Sequence, residues 1–262
     1  FYHSLICLYR MNSTQVQSIN LTVKGLKKSY DGKCVLTGID FEVEAHSIFV
    51  IMGPSGSGKS VLLRQLIGLE SPDEGQVLLN NGSIHDPVVR EQLELAIVFQ
   101  SGGLLNSISV GENVGLYLKE YKRMPHHEIE VIVDDSLEKV GLSVGNDKHK
   151  MPSALSGGMK KRVAIARALA INPQMIFYDE PTSELDPVSA VTIGKEILHL
   201  NQEFGTTSIV VTHDRDLAFG IGHKIVIMQD GKLSQPKTPK EIVEHSDEIT
   251  KRFLNAGKIE DY

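Results

Sequence analysis

"SIFVIMGPSGSGKSVLLRQLIGL", residues 47–69, decides the fold. Its first six residues form a continuous apolar run, as expected of a strand buried on both faces of a parallel sheet. A glycine-rich turn follows at 53–58, and "SVLLRQLIGL" then reads as a helix. Within this frame "GPSGSGKS" (53–60) puts Gly53, Gly58, Lys59 and Ser60 in the register of a phosphate-binding loop. Glycines let the backbone wrap so that successive N–H groups point at one anion, and the helix adds its positive N-terminal end. Lys59 is placed to neutralise β and γ phosphates, and the Ser60 hydroxyl to ligate Mg²⁺. A Gly/Ser-rich loop alone matches this pattern by chance. A buried-type strand before it and an apolar helix after it argue for a nucleotide site.

Outward from this unit the chain alternates. Upstream, "GIDFEVEA" (38–45) sets Ile39, Phe41 and Val43 against Asp40, Glu42 and Glu44, the period-two pattern of a half-buried strand, and residues 21–51 are β-rich. Downstream, Pro72, Asp73 and Gly75 predict a turn, and "QVLLNNG" a short strand. Residues 105–172 change to helical segments with charged faces. Strands return at "QMIFYDE" (174–180), "TTSIVVTH" (206–213) and "KIVIMQDGKL" (224–233), with a helix over 188–204 between the first two. Strand–helix–strand alternation predicts an α/β fold with a parallel sheet core and right-handed crossovers, into which the helical block is inserted. The segment after Pro236 is charged and expected to be helical in part.

Composition narrows the class. The 262 residues are 41% hydrophobic and 23% charged, as in ordinary globular proteins. A formal net charge of -6 argues against a nucleic-acid-coating domain, which needs a basic face. Cys7 and Cys34 form no disulfide framework, and a reducing compartment is expected. No run approaches the roughly 18–20 apolar residues of a membrane span. The opening "FYHSLICLYRMNST" has no small-residue cleavage site, so no signal peptide is expected, and Met11 reads as the true first residue of a 1–20 extension. His126, His127 and the "HDP" at 85–87 read as solvated residues rather than metal ligands.

Two further stretches carry chemistry. "MIFYDE" (175–180) is an apolar strand ending in two carboxylates, where ligands bind in open α/β sheets. Asp179 suits a contact to Mg²⁺, and Glu180 can polarise an attacking water. "LSGGMKKRVAIARALAINP" (155–173) offers Ser156 as cap of a helix starting on Gly157 and Gly158, with Val163, Ala166 and Leu169 or Ala170 at helical spacing. By itself it would be a well-capped structural helix. Beside a phosphate loop it is a second anion-binding device.

In order, the chain holds Tyr30, "GPSGSGKS", Gln100, "LSGGM", "MIFYDE", "SELD" (183–186) and "VTHD" (211–214). Over residues 21–235 it resembles the nucleotide-binding subunit of ATP-binding cassette (ABC) transporters. That resemblance implies a P-loop NTPase (RecA-like) parallel sheet core, an N-terminal antiparallel β subdomain, and an inserted α-helical subdomain at about 105–172. It implies ATP and Mg²⁺ as cofactors, contacted by Gly53, Pro54, Ser55, Gly56, Ser57, Gly58, Lys59, Ser60 and Val61. Tyr30 matches the aromatic that stacks on adenine. Gln100 matches the glutamine that approaches Mg²⁺ and the attacking water. Ser156, Gly157 and Gly158 match the signature that contacts the ATP of the opposite subunit, and Asp186 the dimer-contacting loop. His213 matches the switch histidine that holds the γ-phosphate and orients Glu180. The catalytic set so implied is Lys59, Gln100, Glu180 and His213, with Ser60, Gln100 and Asp179 at the metal. Met159, where Gln is commonest, and Glu184, where a small residue is frequent, depart from the pattern and bear on the contact between subunits.

The stretch after Gln100 speaks to the kind of transporter. "FQSGxLxxxxxVxxNVxxxL" (99–118) with "LSGGM" resembles the ATPase subunit of Mla/Mce-type lipid transporters. This implies a homodimer peripheral to the cytoplasmic face of the inner membrane, acting with transmembrane permease subunits and an Mce-domain lipid-binding subunit, and without nucleic acid. A polar amino-acid or other small-solute importer is the rival within the class. A soluble cassette acting on ribosomes or DNA, and a P-loop kinase, are rivals outside it. The kinase should lack "LSGG" and "VTHD". The Ser101-Gly102-Gly103 segment is expected to act as a hinge between core and insertion.

Overall fold

A computed structural model describes residues 19–244. Cys7, Met11 and the later part of the tail lie outside the described residues. Two sheets share the core. The first is antiparallel, in the order β2-β1-β4-β5, built from β1 (Leu21–Tyr30), β2 (Lys33–Val43), β4 (Glu74–Leu79) and β5 (Gly82–Ser83). The second has the order β10-β9-β3-β8-β7-β6, from β3 (Ile48–Met52), β6 (Leu95–Val98), β7 (Met175–Asp179), β8 (Thr207–Thr212), β9 (Lys224–Gln229) and β10 (Lys232–Leu233). All its pairings are parallel except β9–β10. "KIVIMQDGKL" is therefore a hairpin rather than one strand, because Asp230 and Gly231 take left-handed conformations that reverse the chain.

The apolar run of β3 has the expected cause. Ile48, Val50 and Met52 join the helical side of the core, while Phe49 and Ile51 join the side shared with the antiparallel sheet. Phe41 of β2 stacks on Phe49 with ring centroids 5.0 Å apart, tying the two sheets together. The alternation in β2 puts Ile39, Phe41 and Val43 inside, as its pattern predicts. Gly75 lies within β4 rather than in the preceding turn. A Cβ there would stand 2.4 Å from the carbonyl oxygens of Lys24 and Gly25, so a bare backbone is needed where β4 crosses the bulge of β1.

The helices are α1 (Lys59–Leu66), α2 (Pro87–Glu91), α3 (Val110–Glu120), α4 (His126–Lys139), α5 (Val144–Asp147), α6 (Gly157–Leu169), α7 (Pro187–Phe204), α8 (Arg215–Ile221) and α9 (Pro239–Glu244). The insertion comprises α3 to α6, and α6 returns to pack on β6 and α7. Asn113 and Val114 are buried at its start. Ser109 and Glu112 form a reciprocal capping box. Fully buried Asn113 donates to the carbonyls of Leu105, Ile108 and Ser109 and accepts from the Leu105 amide, folding the loop onto α3. Asp86 caps α2 through the Val88 amide, while His126 and His127 stand exposed. Past Pro236, Lys237 bridges to Ile225 and Ile242 is buried, so the described part of the tail is attached to the large sheet.

Candidate functional site: a cleft at four strand ends

The large sheet brings four of the expected site segments to one edge, each just beyond a strand's C-terminal end. Gly53 follows β3, Gln100 lies two residues past β6, Glu180 follows β7 and His213 follows β8. Strand β3 stands between β8 and β9, so its loop opens at the centre of this edge. Val35, Pro54, Ser55, Gly56, Gly58, Lys59, Ser60, Val61, Arg64, Gln100, Glu180 and His213 line an open cleft of about 750 Å³ there. Gly53 is under the tightest constraint, since a Cβ would fall 2.3 Å from the Met228 carbonyl oxygen.

Within the cleft Lys59 Nζ donates to the carbonyls of Gly53 (2.9 Å) and Pro54 (3.0 Å) and lies 3.6 Å from Glu180 Oε1. The other Glu180 oxygen is 2.8 Å from His213 Nδ1 and accepts from the His213 amide at 3.2 Å. Glu180 is 8% exposed and holds φ +47, a left-handed backbone unusual for glutamate. Its amide donates to Val211 O, and Ser183 donates to its carbonyl through both N (3.1 Å) and Oγ (2.8 Å). Asp214 accepts from Thr182 Oγ1 and caps α8, fixing His213 between two restrained neighbours. One Asp179 oxygen, Oδ1, is buried with no hydrogen-bond partner, and burial, followed by the nearby Glu180 charge, pushes that carboxyl above its usual range. The Ser57 hydroxyl is likewise buried and unpartnered.

The remaining expected residues lie elsewhere. Tyr30 does not line the cleft; its hydroxyl bonds Glu70, which is held in turn by Arg64 and Gln65. Ser156 caps α6 through the Met159 amide, and Gly157 and Gly158 lie against Leu185 and Ser189, beside Asp186. Asp186 caps α7 by accepting from Val188 and Ser189. These residues form a second, exposed cluster that contributes nothing to the cleft of its own chain. The Gly102 and Gly103 carbonyls are held by Arg167 at 2.8 and 2.7 Å, so the expected hinge is fastened to α6. Val35, Arg64 and Lys161 were not singled out by sequence. No local pattern marks any of the three, and the burial of Lys161 in α6 is visible only in the structure.

The family profile described as ABC transporter matches residues 36–183. The chain is 39% identical over 222 residues to the spermidine/putrescine import ATP-binding protein PotA of Oleidesulfovibrio alaskensis, covering 85% of this chain and 58% of that protein. It is 35% identical over 246 residues to the probable ribonucleotide transport ATP-binding protein mkl of Mycobacterium leprae, covering 92% of this chain and 70% of that one. It thus spans less than two thirds of the length of the first and somewhat more of the second. Among solved structures, the dimeric post-hydrolysis state of the ATP-binding cassette MJ0796 bound to ADP and Pi matches with a TM-score of 0.75 and 33% identity, over 84% of this chain and 98% of that one. With the phosphate loop, the paired carboxylates and the signature helix on one α/β scaffold, this fold is that of an ABC ATPase, and the chain belongs to the ABC transporter family.

Proposed function

We propose that the chain is the ATP-hydrolysing subunit of an ABC transporter. The observation that carries this reading is the Glu180 carboxylate held between Lys59 and His213 at the mouth of the phosphate loop. The loop from Gly53 to Val61 and Lys59 bind and orient the phosphates. Glu180 takes a proton from the attacking water, and His213 holds that carboxylate in place beside the γ-phosphate. Gln100 approaches the same water from β6, and Tyr30, outside the cleft but linked through Glu70 to the cleft-lining Arg64, stacks on the base. Asp179 and Ser60 fit Mg²⁺, the former by its buried, unpartnered oxygen; the ion would supply neutralisation of phosphate charge.

Two copies sandwich two ATP molecules, each held by the loop of one chain and by Ser156, Gly157 and Gly158 of the other, with Asp186 at the contact. The exposure of the signature cluster, away from its own cleft, supports this arrangement, as does the dimeric state of MJ0796. Hydrolysis removes the γ-phosphate from the interface and the dimer opens, a two-state device biased by nucleotide. No described helix is long and apolar enough to cross a membrane. On the reading from the cassette motifs, the chain works peripherally, at the cytoplasmic face of the inner membrane, through permease subunits gripped by the insertion.

For the cargo we infer phospholipid, moved between bacterial membranes with an Mce-domain partner. The 99–118 motif supports this: its Val110, Asn113, Val114 and Leu118 are all buried and shape the start of the insertion. The import named for PotA favours a small solute as the second reading. Tagged Glu180→Gln, extracted with ATP from native membranes in mild detergent, separates the two. A permease with an Mce-domain protein and phospholipid is the expected result. A permease with a solute-binding protein overturns the lipid reading alone, and recovery with no membrane protein overturns the transporter reading.

A further inference from the structure

Lys161 sits in the second turn of α6 with 5% of its surface exposed. Its ammonium makes no ion pair within 4 Å among the described residues. Instead Nζ donates to three oxygens from two segments: the Gln100 carbonyl after β6, and the Glu180 carbonyl at 3.3 Å and Ser183 Oγ at 3.5 Å in the turn after β7. Burial holds this ammonium below the usual lysine range, and Asp179, Glu180 and Glu184 oppose that shift from a distance. Desolvating a cation costs free energy, and here carbonyl and hydroxyl oxygens alone offset the cost at contact range.

The location gives those bonds their consequence. The Glu180 backbone is strained, and a strained conformation persists only where its surroundings over-determine it. Lys161 is the donor to its carbonyl that comes from the helical insertion; the other two are the Ser183 amide and hydroxyl of the same turn. Two turns further along α6, Arg167 holds Gly102 and Gly103. One helix therefore fastens both the segment after β6 and the turn after β7.

We propose that Lys161 is a positioning residue for ATP hydrolysis, which fastens α6 to Gln100 and Glu180 so that movement of the insertion resets the glutamate. This rests on the reading of Glu180 as the group that activates water. A displacement of α6 draws Gln100 and the Glu180 carbonyl together, and the side chain of Glu180 turns relative to Lys59 and His213. Through Lys161 the insertion then governs turnover without touching the nucleotide in the cleft of its own chain.

The test compares full-length Lys161→Met, Lys161→Arg, Ser183→Ala and the Lys161→Met/Ser183→Ala pair for ATP affinity, kcat and thermal stability. Lys161→Met should lower kcat about tenfold or more, while ATP affinity stays within about twofold, because a hydrogen bond from a charged donor is lost at a group that does not bind nucleotide. Lys161→Arg should recover part of kcat, since it keeps a cation that can bridge several oxygens. Ser183→Ala should lower kcat less, and the pair should be non-additive, as both act on one carbonyl. Unchanged kcat in Lys161→Met, or additive effects in the pair, overturns the proposal. If Lys161→Met does not fold, additivity between Lys161→Arg and Ser183→Ala decides the matter in the same way. Glu180→Gln is assayed alongside: normal turnover there overturns the reading of Glu180 instead.

Discussion

Two regions of this chain use the same device and end differently. At Gly53–Val61 and at Ser156–Gly158 a short glycine-containing turn opens a helix with bare N–H groups. The first turn leaves a strand buried on both faces, so the ends of β6, β7 and β8 surround it with Gln100, Glu180 and His213. The second leaves a surface segment, with Leu185, Ser189 and Asp186 beside it. A helix N-terminus becomes a reaction site when other elements bring charge and a base to it; otherwise it is one wall of a site. On the proposed reading, this difference is why the signature end calls for a second molecule and the strand end does not.

The strand-end site depends most on Glu180. Glu180→Gln should bind ATP but lower turnover on the order of 10²–10⁴-fold, as for loss of a general base, measured by phosphate release and nucleotide binding. Lys59→Ala should weaken ATP binding on the order of 100-fold by removing charge-assisted bonds to phosphate, measured by titration with a fluorescent ATP analogue. Retained tight binding would remove the lysine from the site.

At the signature end, Gly158→Asp is the matching variant. Its Cβ would meet only Ser189 at ordinary contact distance, so the fold should tolerate it. The added charge should cut ATP-driven dimerisation of Glu180→Gln about tenfold or more while leaving ATP binding to a single chain intact, read by light scattering. Equal loss of both would place the signature in the cleft of its own chain.

The smallest effect concerns how the signature helix is anchored. Arg162 of α6 bonds Glu196 of α7 at 2.8 Å, yet burial pushes the Glu196 carboxyl up to about 7, and its second oxygen has no partner. A raised carboxyl means that the folded state holds the proton more tightly than the unfolded one. This contribution to stability is full below the ordinary carboxylate range and is lost as pH rises through about 7. Glu196→Gln should therefore melt with a smaller fall between pH 5.5 and pH 8.5 than the wild type, by calorimetry.

Much of this molecule was legible in its residues because the relevant forces are local. The uninterrupted apolar run of β3, the alternation in β2 and the capping residue Ser156 each write their environment into a few consecutive positions. The hairpin at 229–232 and the place of Gly75 were missed, since both depend on left-handed backbone and on which strand lies alongside. Lys161 and Arg167 read as ordinary basic residues of a helix. Their partners lie 61 or more residues away in sequence for Gln100 and Gly102, and no local pattern encodes such a contact.

The layered α/β plan, the phosphate loop and the order of the motifs are all written in consecutive residues, because strand and helix periodicity and turn chemistry act over a few positions. Only the tertiary structure decided that Glu180 stands between Lys59 and His213, that the signature faces away from this cleft, and that the segment after Gln100 is fastened to α6. Those outcomes depend on how strands order in the sheet and on where buried donors find acceptors, and both are settled by packing across the whole chain.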